Sequence, residues 1–366
     1  MLGAGGIYLV WLGLVACVGT GLAADEKPGR AFVAWDDFSS WQTENHPDEG
    51  GWSLVSSPIK PTIEFDQLIL SWNVSGGRES THSFSVQVLQ GSEWSSSYVL
   101  GQWAPGAGQT NRTSIGGQKD ELARVSTDTL VLSEPAQTVR VRVDVGQDRA
   151  ALSDLELVGL SFLDSNSEPS SFRSDRTAWG VELAVPQLCQ MDYEGGEVWC
   201  SPTSVGMVLS HWANVKKRRE LRLSVPALAA EVFDPGWDGT GNWPFNTAFA
   251  GSFDGIRGYV VRLSDVVDLE AFISAGIPVT VSVAYSVLKR SPSRSNDGHL
   301  VVCVGFTNDG DIILNDPARN PEVRWVYNRA DFVAAWGRSK NTAYLIYPDS
   351  APLPADPLGL WSLSSL

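Results

Sequence analysis

A helix that starts at a cysteine is the feature that most restricts how this chain of 366 residues can fold. In the run 197–212, Pro202 suits the first helical turn, and Ser201 or Cys200 can cap it. Apolar residues then recur at the spacing of one buried helical face, namely Val205, Val208, Leu209 and Trp212. The pattern predicts a helix with the Cys200 thiol at its positive end.

The position of Cys200 at a helix N-terminus favours a role as a catalytic nucleophile. Unpaired amide N–H groups and the helix dipole stabilise a thiolate at a helix N-terminus, which lowers the cysteine pKa and makes the sulfur reactive toward carbonyl carbon. From this stretch alone, a buried structural cysteine is the alternative. His211 is excluded as the base, because eleven helical residues at about 1.5 Å each separate it from Cys200.

A second group of polar residues lies in a predicted β-hairpin at 296–317. Alternating β-branched residues mark both strands, and Asn-Asp-Gly marks the turn. If the loop is 307–310, Asp316 faces Val301 and lies diagonally next to His299 on the same sheet face. The carboxylate can then orient the imidazole. A slip of one residue would move Asp316 to the opposite face.

Residues 181–348 resemble a known family. Gln190, the run Trp-Cys-Ser-Pro-Thr-Ser at 199–204, Gly-His at 298–299 and Asn-Asp-Pro at 315–317 occur in that order. The region resembles the bacteriocin-processing-like, or C39-like, papain-fold cysteine peptidases. More narrowly, it looks like their secreted relatives, which lack the transporter domains of the leader-processing members.

The resemblance implies a role for each motif. It implies Cys200 as the nucleophile and His299 as the base and then the acid. It implies Asp316 as the group that orients the imidazole and Gln190 as a donor to the oxyanion, with Gln187 as the fallback. The expected protein is a thiol peptidase or amidase that hydrolyses a peptide or protein substrate through a covalent thioester, without a metal or nucleotide cofactor.

Two other functions stay open. An acyltransferase or transglutaminase-like enzyme would keep the same Cys, His and Asp and release the acyl group to an amine. A cell-surface binding protein would have lost activity in the papain-like domain. Product analysis with added amine tests the first alternative, and labelling of Cys200 by a mechanism-based thiol probe tests the second.

Turn spacing and composition predict two domains. Residues 30–163 contain short alternating strands separated by Gly, Ser and Pro, which predicts an all-β sandwich accessory domain. Residues 164–180 are polar and predict a linker. Residues 181–348 mix helices and strands, as expected of an α+β papain-like cysteine peptidase domain. Residues 349–366, rich in Pro and Leu, are expected to form a peripheral tail.

Fifteen tryptophans are spread through both halves, and most are expected to pack in β-rich cores. A cell-envelope or carbohydrate ligand would need an exposed aromatic face in the predicted sandwich. Core packing is the favoured interpretation for the candidates Trp41, Trp52, Trp72, Trp94 and Trp103. His46 and His82 are expected in surface or loop positions.

Charge and cysteine count restrict the partners. The chain has 27 Lys and Arg against 42 Asp and Glu, a net charge of −15, which opposes binding to nucleic acid. If Cys17 leaves with a signal peptide, three cysteines remain and one thiol stays unpaired. A disulfide between Cys189 and Cys303 is an alternative, although Cys303 alternates into a strand and suits a small apolar packing role. Without a CxxC pair or a His-rich cluster, a metal site lacks support.

Residues 1–24 predict export. The apolar run Ile7–Ala16 is followed by small residues, and Gly21–Ala23 offers a cleavage site for signal peptidase. Residues 14–17 resemble a lipobox, in which Cys17 would be lipidated, and a retained anchor is a further alternative. After residue 24 no apolar run is long enough to span a bilayer. The expected location is extracellular, periplasmic or lipid-anchored at the cell surface.

Overall fold

The protein is a sheet-rich chain with few helices. The computed structural model describes residues 29–46, 50–75, 80–104, 112–167, 171–293 and 297–363. Two sheets lie in the N-terminal half and one in the C-terminal half. The predicted signal at 1–24, with Cys17, lies outside the described residues.

Two sheets of antiparallel strand pairs build the N-terminal half. The first contains β1 (Arg30–Trp35), β4 (Phe65–Val74), β8 (Ala123–Ser126), β9 (Thr129–Ala136) and β11 (Leu155–Leu163), in the order β1-β11-β4-β9-β8. The second contains β2 (Gln42–His46), β3 (Gly51–Val55), β5 (His82–Gln90), β6 (Glu93–Trp94), β7 (Tyr98–Trp103) and β10 (Val139–Val145). Its order is β2-β3-β10-β5-β6, and β7 also pairs with β5.

Burial along the strands explains how these sheets are arranged. Along β10 every second residue is buried, as expected of a strand with one face on the core and one near solvent. All residues of β4 from Leu68 to Val74 are buried instead. Trp72 stacks on Phe84 of β5, with ring centroids 4.3 Å apart, while its neighbours Ser71 and Asn73 contact the C-terminal half. The first sheet is therefore covered on both faces.

One sheet and the six α-helices of the described chain form the C-terminal half. The strands are β12 (Ile256–Arg262), β13 (Val279–Ala284), β14 (Gly298–Phe306), β15 (Ile312–Asn315), β16 (Arg324–Tyr327) and β17 (Thr342–Pro348), in the order β12-β17-β13-β14-β15-β16. The helices are α1 (Cys200–Lys216), α2 (Val225–Val232), α3 (Trp243–Ala250), α4 (Val266–Ser274), α5 (Tyr285–Leu288) and α6 (Arg329–Gly337).

Helix α1 is buried more completely than its sequence predicts. Every residue from Ser201 to Ala213 is buried, because α1 contacts both the sheet and the helices α2 and α3. The prediction that Ser201 or Cys200 caps the helix is also wrong. Trp199 is the N-cap residue and makes no side-chain cap bond, while the Ser201 hydroxyl bonds the Tyr344 hydroxyl at 2.9 Å. Cys200 is thus the first residue of the helix rather than its cap.

The predicted hairpin forms from β14 and β15, but its turn differs from the expected one. The four-residue loop would place Phe306 opposite Asp311, whereas Phe306 pairs with Ile312. An irregularity between Cys303 and Gly305 then restores the predicted register, so that Cys303 pairs with Leu314. The turn is one residue longer than predicted, which shifts the strand pairing by one residue. The β-bulge adds one residue to β14 and shifts the pairing back.

The segment between the halves and the C-terminal tail are both attached to α4. Trp179 donates its indole N–H to Glu270 at 2.9 Å. Leu360 and Trp361 are each 1% exposed, which corrects the expectation of a peripheral tail. The Trp361 ring packs on Phe272, with centroids 5.1 Å apart, so the tail completes the core beside α4.

The two halves meet along β4 and β12. The Asn73 side chain donates to the Gly258 carbonyl at 2.7 Å and accepts from the Gly258 N–H at 3.1 Å. The Ser71 hydroxyl accepts from the Val260 N–H at 2.9 Å. Side chains of β4 therefore satisfy the backbone of β12, which is an edge strand of its sheet.

The aromatic candidates of the N-terminal half are mostly core residues. Three of them are buried, namely Trp41, Trp72 and Trp103. The other two, Trp52 and Trp94, are half-buried, and an arginine side chain covers each ring. No broad aromatic face is therefore presented by these five rings.

His82 is a core residue, which corrects its expected surface position. It is 1% exposed, and its Nε2 lies 2.8 Å from the Ala151 carbonyl oxygen. His46, at the end of β2, is partly exposed as expected. Within the described ranges, no helix has the length and apolar character needed to cross a membrane.

Candidate active site

Cys200 lies where α1 meets the sheet. The residue is partly exposed, while the helix behind it is buried. One turn along the helix, the Ser204 hydroxyl donates to the Leu300 carbonyl at 3.0 Å. Leu300 follows His299 in β14, so this bond fixes the start of the helix beside the start of the strand.

His299 contacts Cys200 on one side and a carboxylate on the other. The imidazole is 4% exposed and lies close enough to the Cys200 thiol for each group to shift the pKa of the other. Its Nε2 lies 2.7 Å from Asp316 Oδ1. The Tyr285 ring packs against the imidazole, with centroids 4.0 Å apart, and so restricts its orientation. Because Nε2 contacts the Asp316 carboxylate, Nδ1 is the ring nitrogen that can interact with the Cys200 thiol.

Asp316 follows β15 directly and is completely buried. Besides its contact with His299, Oδ1 accepts from the Ala318 N–H at 3.1 Å. Its Oδ2 accepts from the Tyr327 hydroxyl at 2.6 Å. A buried carboxylate needs such partners, because an unpaired charge in the interior is costly. The sequence prediction that Asp316 could reach His299 agrees with this geometry.

The electrostatics of the three groups favour an ion pair between sulfur and imidazole. Burial alone would raise the pKa of the Cys200 thiol, but the neighbouring His299 imidazole and its charge lower it below its ordinary value. Burial alone would lower the pKa of His299, but Asp316 and Cys200 raise it to about 9. Burial opposes ionisation of Asp316, yet His299 and Tyr327 hold the pKa of that carboxyl below its usual range.

Gln190 is the better placed of the two candidate glutamines. It is 2% exposed, its backbone N–H donates to the Pro317 carbonyl at 2.9 Å, and its Nε2 donates to the Gly196 carbonyl at 2.7 Å. Gln190 is thereby held between the loop that follows Asp316 and the segment before Cys200. Gln187 is exposed, and its side-chain oxygen accepts from the Arg324 N–H at 3.2 Å.

Sequence reasoning missed two tyrosines beside the carboxylate. Tyr327 donates to Asp316, and Tyr285 packs on the His299 imidazole. Burial and the charge of Asp316 raise the pKa of both hydroxyls far above its ordinary value, so both remain protonated. Alternation in the Arg-Trp-Val-Tyr run could have placed Tyr327 on a strand, but its pairing with β15 is not visible in the sequence.

The remaining described cysteines do not join this group. Cys189 and Cys303 are buried and unpaired, so the alternative disulfide does not form in this structure. Burial raises the pKa of Cys303 to about 12, in contrast to the lowered pKa of Cys200. Among the described residues, no three His, Cys, Asp or Glu side chains form a group that could hold a metal ion.

Comparisons with known proteins give matches over both halves. Residues 182–344 match the Peptidase_C39 like family, and residues 21–161 match the Peptidase C39 N-terminal domain. Among solved structures, a proposed C39-like peptidase from Bacillus anthracis is 17% identical with a TM-score of 0.36, and the alignment covers 46% of this chain and 96% of that one. No curated protein matches the chain. The first family match includes Gln190, Cys200, His299 and Asp316.

Proposed function

This chain belongs to the C39-like peptidase family, and from that premise we propose that it is a cysteine peptidase with Cys200 as its nucleophile. One observation carries the proposal: the His299 imidazole lies between the Cys200 thiol, whose pKa it lowers, and the Asp316 carboxylate, which is 2.7 Å from its Nε2. The pKa shifts of Cys200 and His299 have opposite signs, as a thiolate–imidazolium pair requires.

The proposed reaction has two steps. The Cys200 thiolate attacks the scissile carbonyl carbon, a C–S bond forms, and the imidazolium of His299 gives its proton to the leaving amine as the C–N bond breaks. His299 then removes a proton from water, the hydroxide displaces the thiolate from the thioester, and a carboxylic acid is released. Asp316 stabilises the imidazolium throughout.

Gln190 is the proposed side-chain donor to the tetrahedral oxyanion. One hydrogen of its Nε2 is used by the Gly196 carbonyl, and the second has no acceptor among the residues that the structure describes. The Cys200 N–H at the helix start would be the other donor. A donor of this kind typically contributes about a hundredfold or more to the rate.

We also propose the finer architecture and the location. The Trp72–Phe84 stack between two antiparallel sheets supports a β-sandwich in the N-terminal half. The packing of α1 on an antiparallel sheet that carries His299 supports a papain-like α+β domain in the C-terminal half. The apolar segment 7–16, outside the described residues, supports export.

The first prediction tests the nucleophile. Cys200→Ser should lower peptide turnover by several orders of magnitude, because serine lacks the ionised state that the site stabilises. The Cys303→Ala variant serves as the matched control and should retain most turnover, because that thiol is buried in β14 and lies outside the group formed by Cys200, His299 and Asp316. Cleavage products of a peptide library, identified by mass spectrometry with and without an added amine, provide the measurement. Turnover by Cys200→Ser within about tenfold of the wild type would refute the assignment.

A further inference from the structure

The loop at 234–242, which joins α2 to α3, runs beside the segment that leads to the nucleophile. The Thr240 hydroxyl donates to the Val198 carbonyl at 3.0 Å, and Val198 lies two residues before Cys200. On the other side, Asn246 of α3 donates to the Thr240 carbonyl at 2.8 Å. The loop is therefore fixed next to the candidate active site.

Two exposed apolar side chains lie on this loop and on the segment that is hydrogen-bonded to it. We call them the Trp237 ledge, which consists of Trp237, 48% exposed, and Val198, 64% exposed. A Cβ added at Gly239 would lie 2.8 Å from the indole, and one at Gly241 would lie 3.1 Å away. The indole thus rests on the loop backbone and leaves its remaining surface to solvent. An exposed indole has an apolar face that can pack against an apolar side chain of a ligand.

The N-terminal half holds the loop at its first residue. The Ser114 N–H donates to Asp234 Oδ1 at 2.8 Å, and Asp234 is completely buried. The Gly236 N–H donates to the same oxygen at 3.0 Å. A Cβ on Gly236 would lie 2.2 Å from the Ser114 carbonyl oxygen, so the two backbones are in direct contact.

Arg112 makes a second attachment, just before the loop. Its guanidinium is 2% exposed and lies 2.6 Å from the carboxylate of Glu231 on α2, and it also donates to the Glu231 carbonyl. Its Nε donates to the Ala104 carbonyl at 3.1 Å. Only the arginine of this pair is buried, and it depends on its acceptors because an unpaired charge in the interior is costly. The position of the loop therefore depends on residues of the N-terminal half.

The surroundings of the ledge are acidic. Glu194 and Glu197 lie in the segment before Cys200, and Asp238 follows Trp237. All three are exposed, and none forms a salt bridge among the residues that the structure describes. Exposed carboxylates next to an apolar surface complement a peptide that combines a large apolar side chain with cationic neighbours.

We propose that the N-terminal half is part of the substrate-binding apparatus: through Arg112 and Ser114 it holds the Trp237 ledge, and the ledge binds a large apolar side chain of a lysine- or arginine-flanked peptide substrate. This inference rests on the proposed peptidase function. Trp237 is the specificity-determining residue, and Arg112 is a positioning residue that acts through the loop.

The ledge is tested with lysine-flanked fluorogenic peptides that carry either Phe or Gly near the reporter amide. Trp237→Ala should raise KM for the Phe peptides about tenfold, a loss of about 1.4 kcal/mol, and should change kcat much less. The Val215→Ala variant is the control, because Val215 is also exposed but lies at the other end of α1. Equal KM changes in the two variants would overturn the role of Trp237.

The attachment of the loop to the N-terminal half through Arg112 is tested by combining variants. Arg112→Met should raise KM for the Phe peptides in the wild-type background but add little in Trp237→Ala, because both changes remove the same contact. Thermal unfolding identifies any variant that fails to fold. In that case Glu231→Gln, which weakens the pair from the less buried partner, takes its place in the cycle. Additive effects would overturn the positioning role.

Peptide binding to Cys200→Ser separates this inference from the peptidase proposal. If the wild type cleaves no peptide but Cys200→Ser binds Phe peptides more tightly than Gly peptides, and Trp237→Ala removes that preference, the ledge stands and the peptidase proposal fails. If turnover occurs without any preference for Phe over Gly, the peptidase proposal stands and the ledge is refuted.

Discussion

The two carboxylate oxygens of Asp316 contact different kinds of partner. Oδ1 faces His299, while Oδ2 accepts from Tyr327, so the carboxylate is held on both sides. This arrangement explains how a completely buried acid can stay ionised beside an imidazole. At the residue scale, the site is therefore a set of charges whose protonation states depend on one another.

The second prediction concerns pH. The pKa of Cys200 is lowered and that of His299 is raised to about 9, so the thiolate–imidazolium pair exists between these two values. Turnover should decline as the pH rises above about 9, because His299 then lacks the proton for the leaving amine. In His299→Ala, the pH at which iodoacetamide alkylates Cys200 should rise to that of a free thiol, about 8.5, or higher. An unchanged alkylation profile would show that His299 does not pair with the thiol.

The third prediction concerns Tyr327. Tyr327→Phe removes a hydrogen bond to a buried charge and should lower the free energy of unfolding by about 1.5–3 kcal/mol. Because the folded pKa of Asp316 lies below its unfolded value, this stability is present above about pH 4 and is lost as the pH falls through the folded pKa. Urea titrations at several pH values should show the difference from wild type shrinking in acid. A difference that grows in acid would contradict the assigned role.

At the scale of single elements, the hairpin of β14 and β15 carries His299 to Asp316. Its turn uses Gly310 at a φ of 85°, and a Cβ there would lie 2.3 Å from the Trp179 ring. The turn therefore depends on glycine for its backbone conformation and for space. A change in the turn conformation would move β15 relative to β14, and Asp316, which follows β15, would move with it.

The fourth prediction follows from this turn. Gly310→Ala should lower the free energy of unfolding by about 1–3 kcal/mol, because it combines backbone strain with steric overlap. Gly337→Ala, with nothing near its added Cβ, should be neutral or stabilising by up to about 1 kcal/mol. Denaturant titrations of both variants give the comparison. Equal effects would mean that the turn tolerates a side chain.

Local patterns in the sequence predicted the elements of the site but not their surroundings. The helix at Cys200 and the hairpin with His299 and Asp316 follow from periodicity and turn residues. The bulge was missed, although Gly305 lies at it and a glycine inside a strand pattern often marks one. The burial of α1 from Ser201 to Ala213 was also hidden, since Ser201 and Ser204 look solvent-exposed until their distant partners are known.

At the scale of the whole molecule, the family resemblance is confirmed by the family matches, whereas contacts between distant segments of the chain were beyond prediction. Trp361 shows the reason. It lies in an irregular segment rich in Pro and Leu, yet it is 1% exposed and its carbonyl accepts from the Tyr259 hydroxyl at 2.7 Å. Contacts of this kind join residues far apart in the chain, so no local periodicity reports them.

The fifth prediction concerns this tail. Trp361→Ala should lower the free energy of unfolding by about 3–5 kcal/mol, because it leaves a cavity against Phe272. Trp325→Ala, at a position that is 42% exposed, should cost much less. Calorimetry should also show both halves unfolding in one transition. A loss of less than about 1 kcal/mol in Trp361→Ala would mean that the packing of the tail is incidental.

The contacts of Ser71 and Asn73 with β12 matter for the order in which the two halves are synthesised. An uncovered edge strand is a template for unwanted pairing with other chains. The N-terminal half leaves the ribosome first, so the side chains that cover β12 are already present when that strand emerges. The same two halves joined in reverse order would expose the β12 edge to neighbouring nascent chains until the end of translation.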